Sequence, residues 1–165
     1  MNALLGDLIN MLIDTIKGAL GGSEANAESQ AMADEILSAV ANGDIPSRKL
    51  YEDDNFIVIM DLGPATKGHS LVIPKEHYAD LYEMPADLVG EAMKVAQKMA
   101  IKMTDALQAD GFNIVQNNGE VSGQTVFHFH LHLIPRYKED APCITWTPHT
   151  VSGEELDAIK ETILK

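Results

Sequence analysis

The chain has 165 residues, with 25 Asp and Glu against 12 Lys and Arg, for a formal charge of −13. That length fits one domain with some slack and a core of ordinary size, and the 45% hydrophobic content is too high for a disordered chain. The charge excludes a grip on a nucleic-acid polymer, which needs basic patches to displace counterions, and it disfavours attachment to an anionic membrane for the same reason.

Cys143 is the only cysteine. No intrachain disulfide and no Cys-rich zinc module can form, and a reducing, cytoplasmic compartment is expected. Leu4, Leu5, Leu8, Ile9, Leu12, Ile13, Ile16 and Leu20 fall at steps of three and four, which predicts an amphipathic helix over 1–22. The start is not basic and the apolar run is broken by Asp7 and Asp14. Neither a signal peptide nor a spanning helix is expected. Gly21-Gly22 closes this helix, and the small polar residues that follow read as a linker over 23–32. The rest, 33–165, is expected to be the main domain.

A second helix places Met32, Ile36, Leu37 and Val40 on one face and stops at Asn42-Gly43. From Leu50 the period changes. Lys49 to Glu52, Phe56 to Met60 and Ser70 to Ile73 read as strands, with a turn at Asp53-Asp54-Asn55. Pro85-Ala86-Asp87 opens a long helix to about Ala109, ended by Gly111. Its Met-rich stripe is expected in the core or at a dimer interface. Phe112 to Gln116 is a predicted strand, Asn117-Asn118-Gly119 a turn, and Thr125 to Ile134 another strand stopped by Pro135. Ser152-Gly153-Glu154-Glu155 fits a capping box for a last helix whose inner face is Leu156, Ile159 and Ile163. Strands in short succession with helices around them predict an α+β fold with an antiparallel sheet.

His128, His130 and His132 alternate with Phe127, Phe129, Leu131 and Leu133. On a strand the period is two, so the imidazoles share one face and the apolar residues the other. A solvent face would more naturally use Thr, Lys or Glu, and a core face Val or Ile. Clustered imidazoles point to chemistry. One option is a zinc site with an open position; the other is nucleophilic attack by neutral imidazole. The preceding segment, Asn117 to Thr125, offers two glycines, amides and hydroxyls, which suit phosphate oxygens. A zinc site would more naturally recruit Cys, Asp or Glu.

His128-Phe129-His130-Leu131-His132-Leu133-Ile134 resembles the signature of the histidine triad (HIT) family. Ile45-Pro46-Ser47 with Tyr51-Glu52-Asp53, Asp61 with Pro64, Gly68 to Lys75 with His77, and Asn117-Asn118-Gly119 with Gly123-Gln124 resemble its Hint-like branch in order and spacing. The likeness spans roughly residues 33 to 150 and implies a HIT-like fold of about five strands with a long helix. It implies a nucleotide hydrolase or transferase acting at the α-phosphorus of purine nucleoside phosphoramidates or adenylates, through a nucleotidyl-histidine, without a cofactor. By the same resemblance His130 is the nucleophile, His132 contacts phosphate oxygens or the leaving group, His128 orients its neighbours, and His69 completes the network. Asp61 is expected to hold the ribose hydroxyls, and Leu62 to touch the base. Asn117, Gly123, Gln124 and Thr125 are expected near the α-phosphate.

Many bacterial relatives carry a Cys pair that binds zinc with two histidines. Those positions here are Glu35 and Ser38, so no metal is expected, although His77 is kept. A homodimer is the expectation by resemblance. Trp146 is expected to pack in the protein, and His149 has no assigned role. The alternatives are a dinucleoside polyphosphate hydrolase of the Fhit type, a nucleotide-binding interaction protein with little catalysis, and a zinc hydrolase. Attack needs neutral His130, so the rate is expected to fall below about pH 6.

Overall fold

The structure is a computed structural model that describes residues 27–45, 47–142 and 144–165. The amphipathic stripe predicted over 1–22 lies outside the described residues, as do Pro46 and Cys143. Among the described residues the elements run α1 (Ala27–Asn42), β1 (Lys49–Glu52), β2 (Phe56–Met60), β3 (Ser70–Pro74), α2 (Ala86–Leu107), β4 (Gly111–Val115), a 3-10 turn (Glu120–Ser122), β5 (Leu131–Arg136) and α3 (Gly153–Ile163). No described helix is long and apolar enough to cross a membrane.

The five strands form one antiparallel sheet in the order β1-β2-β3-β5-β4. Its centre reads as nearly continuous apolar sequence because both faces are covered. Phe56, Val58, Val72, Leu131 and Leu133 pack with Ala92, Val95, Ala96, Met99 and Met103 of α2. Ile57, Ile59 and Ile73 turn the other way and pack with Leu37, Val40 and Ala41 of α1. The Met-rich stripe of α2 is therefore core at Met99 and Met103, whereas Met93 stays 47% exposed.

Several boundaries differ from the sequence expectation. Helix α1 already starts at Ala27, inside the predicted linker, because Ala, Glu, Gln and Met favour helix there. Its Leu37 and Val40 are buried as expected; the side chains of Met32 and Ile36 lie outside the described ones. Helix α2 ends at Leu107 and not near Ala109. Gln108 adopts the left-handed conformation (φ 53), and its side-chain amide donates to the Asp105 carbonyl at 2.6 Å. Gly111 is left free to begin β4.

The largest difference concerns the last strand. It spans Leu131–Arg136 and not 125–134. Residues 125–130 join no strand ladder, and the Phe129 main chain bonds to the segment after β3. The Phe129 N–H donates to the Tyr78 carbonyl at 2.6 Å. Pro135 lies inside the strand, opposite Phe112. It has no N–H to give, and its carbonyl accepts the Thr66 hydroxyl at 2.7 Å.

The C-terminal helix begins as predicted, with the Glu155 N–H donating to Ser152 Oγ at 3.2 Å. Its expected inner face is not inner, however. Leu156, Ile159 and Ile163 are 55%, 48% and 75% exposed, because no described element lies over them. Trp146 is likewise exposed, which corrects the expectation that it packs.

Candidate active site

Strand β5 carries only His132; His128 and His130 stand in the irregular segment before it. The alternation nevertheless holds from 129 to 133. Phe129, Leu131 and Leu133 enter the α2 core, while His130 and His132 stay partly accessible. His128 departs from the shared accessible face, for it is fully buried.

Each ring is oriented by a partner whose chemistry has only one sense. His128 Nε2–H donates to the Pro74 carbonyl at 3.0 Å. Its Nδ1 must then carry the lone pair, which Ser38 Oγ approaches at 3.2 Å and His77 Nδ1 at 3.1 Å. His130 Nδ1–H donates to the His128 carbonyl at 2.7 Å, which leaves the lone pair on Nε2. His69 Nδ1 accepts the Ala65 N–H at 3.0 Å, so its proton sits on Nε2. That nitrogen lies 3.0 Å from His132 Nδ1 and 3.5 Å from Asp61 Oδ2. The His130 and His132 rings meet edge to face, with centroids 4.8 Å apart.

Burial favours the neutral form throughout this group. It lowers His130 below its ordinary 6.5, against the opposing help of the His128 carbonyl. His128 is lowered to about 4, chiefly by burial and then by His77 and His130. His132 is lowered to about 3 by burial and by its two histidine neighbours. His69 is lowered by burial, with Asp61 pulling the other way.

Asp61 follows the end of β2. Its Oδ1 accepts the Gly63 N–H at 2.7 Å and closes its own turn, while Oδ2 faces His69. One carboxylate thus closes its own turn and faces His69 with its other oxygen. Leu62 beside it is 40% exposed, open to an apolar partner.

Of the residues before the triad, Gln124 is buried and has its donors spent inside the protein. Its Nε2 donates to the Ala79 and Val126 carbonyls at 2.7 and 3.2 Å, and its Oε1 accepts the Gly119 N–H at 2.7 Å. The N–H groups of Gly123 and Gln124 turn onto Glu120 and Gly119 carbonyls at 2.8 and 3.2 Å. Gly123 has φ +89, a conformation that favours glycine. Gly123 and Gln124 thus shape the loop, and their amides are not displayed to a phosphate. Asn117 Nδ2 reaches the Gly123 carbonyl at 3.4 Å, and Thr125 is half-buried.

One contributor was missed by sequence reasoning, and another was singled out only as a zinc histidine: His77 stands against His128 with ring centroids 4.9 Å apart. The Ala65 amide left no signal, since any residue but proline supplies it.

Asp61, His69 and His132 bring ligand atoms within 4.8 Å of one another, a spacing a metal ion can use. Their contacts are, however, already those of hydrogen-bonded neutral rings. The zinc site of bacterial relatives does not fit this chain. Glu35 and Ser38 stand where its two thiolates would be needed, and a neutral hydroxyl is a poor replacement for a thiolate ligand.

Comparison with known proteins places this geometry. A HIT domain model matches residues 42–139. "Protein hit" of Bacillus subtilis (strain 168) is 40% identical over 133 residues, covering 79% of this chain and 92% of its own. Adenylylsulfatase HINT3 of Arabidopsis thaliana is 34% identical, with 90% of this chain and 73% of that protein covered. Adenosine 5'-monophosphoramidase hnt1 of Schizosaccharomyces pombe is 35% identical, with 78% and 94% covered. The crystal structure of a member of the HIT family of proteins from Bacillus subtilis superposes with a TM-score of 0.74 at 39% identity, over 78% of this chain and 94% of that one. With its histidine cluster at the start of β5 and these relatives around it, the chain belongs to the HIT domain family.

Proposed function

We propose that this protein is a nucleotide hydrolase that cleaves nucleoside phosphoramidates or adenylates at the α-phosphorus and releases a nucleoside monophosphate. One observation carries the reading: His130 Nδ1–H is tied to a main-chain carbonyl, so a neutral Nε2 lone pair is free to attack. Relatives named adenosine 5'-monophosphoramidase and adenylylsulfatase support the substrate class.

Nε2 forms a bond to phosphorus, and the bond to the leaving group breaks with its electron pair departing on that group. Water then attacks phosphorus and gives up one proton to solvent as its oxygen bonds, and the P–N pair returns to Nε2. His132 borders the reacting phosphate. Asp61 Oδ2 accepts from ribose hydroxyls, Leu62 meets the base, and Asn117 and Thr125 flank the phosphate. Gly123 and Gln124 hold the loop in shape, and His128 with His77 backs His130.

His130→Ala is expected to cost at least about 10³-fold in kcat, in the range seen when a covalent nucleophile is lost. It should also remove any nucleotidyl adduct visible by mass spectrometry of acid-quenched enzyme. A variant that keeps its rate on phosphoramidates and adenylates sinks the assignment.

The protein is also proposed to be a homodimer with a reducing, cytoplasmic setting, which suits a single cysteine. Strand β4 lies at an edge of the sheet with Ile114 39% exposed, and an open edge is a template for a second copy. Sedimentation should then give one species at twice the chain mass; a monomer at micromolar concentration is the contrary result.

A further inference from the structure

We infer that the main-chain N–H of Ala65 is a positioning group that, through His69, makes His132 present an N–H and not a lone pair to the phosphate. This rests on the proposed hydrolase reading for its consequence, but not for its geometry.

An amide N–H can only donate. Its 3.0 Å contact with His69 Nδ1 therefore forces a lone pair onto that nitrogen and the proton onto Nε2. His69 Nε2–H then donates to His132 Nδ1 at 3.0 Å, which puts the His132 proton on Nε2. Only a doubly protonated ring escapes this logic, and burial opposes the charge it would carry. The neighbouring His130 has the opposite tautomer, since its Nδ1–H is held by the His128 carbonyl. Adjacent rings with centroids 4.8 Å apart thus offer a lone pair and a donor side by side. An attacking nitrogen needs the first. The charge developing on phosphate oxygens needs the second.

The loop that carries the amide is fastened along its length. Thr66 Oγ1 donates to the Pro135 carbonyl at 2.7 Å, and the His69 N–H returns to the Thr66 carbonyl at 3.1 Å. Tyr137 donates to the Lys67 carbonyl at 2.9 Å. Gly68 has φ +90, and a Cβ there would strike Leu107 Cδ1. The Ala65 N–H is therefore fixed in place as firmly as a side chain on a strand would be.

Long-range 1H–15N correlation spectra of the histidine rings test this directly in the wild-type protein at neutral pH. His69 and His132 are expected as Nε2–H tautomers and His130 as Nδ1–H. An Nδ1–H tautomer at His69 or His132 overturns the inference, whatever the activity. Ala65→Pro deletes the amide proton. It should mix the tautomers of His69 and His132 and lower kcat about 10²-fold, as loss of one transition-state donor does, with KM little changed. Ala65→Gly keeps the proton and should keep the wild-type ring pattern. A folded Ala65→Pro variant with unaltered tautomers also overturns the inference. Should His130→Ala stay active while the tautomers come out as expected, the hydrolase reading fails and the relay stands.

Discussion

In the proposed mechanism His130 attacks only as a neutral ring, and burial holds it neutral to more acid pH than an exposed imidazole. Protonation of the nucleophile stops attack, so a folded pKa below 6.5 moves the acid limb of the rate profile downward. The expected kcat/KM stays level from pH 8 through pH 6, where an unburied imidazole would already lose rate, and falls only at still lower pH. A limb centred at or above 6.5 in a steady-state profile would contradict this. The reference value alone had placed the fall near pH 6, because sequence says nothing of how deeply a ring is buried. The triad itself was legible from alternation, since Phe129, Leu131 and Leu133 are core while His130 and His132 stay partly accessible. What orients each ring was not legible. The deciding partners are the Pro74 and His128 carbonyls and the Ala65 amide, main-chain atoms common to every residue type.

Two loops, one on each side of the triad, convert the sheet into a site. The 61–68 loop runs from β2 to β3 and carries Asp61, the Ala65 amide and the approach to His69. The 116–126 loop is tied down by Gln124, which joins Gly119, Ala79 and Val126 through one buried side chain. Gln124→Ala would leave a backbone N–H and two carbonyls without that partner. It is expected to destabilise the protein by about 1–3 kcal/mol, read as a lower urea midpoint at unchanged slope. A shift too small to resolve would mean that water replaces the amide freely. Strands β2 and β3 were legible because each is an apolar run bounded by turn residues. The start of β5 was not, because residues 125–130 have strand-like composition but join no strand ladder, the Phe129 N–H going to Tyr78 beyond β3. Gln108 hid the end of α2 in a similar way, adopting a left-handed backbone with no glycine to mark it.

At the scale of the molecule, an antiparallel sheet was readable from strands in short succession with helices around them, whereas its cover on both faces shows only in the packing. The partner of a helix was not. The stripe on α3 states a need for apolar cover, and among the described residues nothing meets it. Charge offers a further consequence. The groups gathered at the site are neutral imidazoles and one carboxylate, in a chain whose formal charge is −13. An anionic nucleotide therefore meets repulsion as it diffuses in, the reverse of electrostatic steering. Raising ionic strength from about 0.01 to 0.15 M shortens the screening length from about 30 to 8 Å. Over that range kcat/KM is expected to climb while kcat stays level. A fall in kcat/KM with added sodium chloride would point to a cationic entrance. On the proposed reading the protein works faster in salted than in dilute buffer, with capture, not chemistry, as the step that salt sets free.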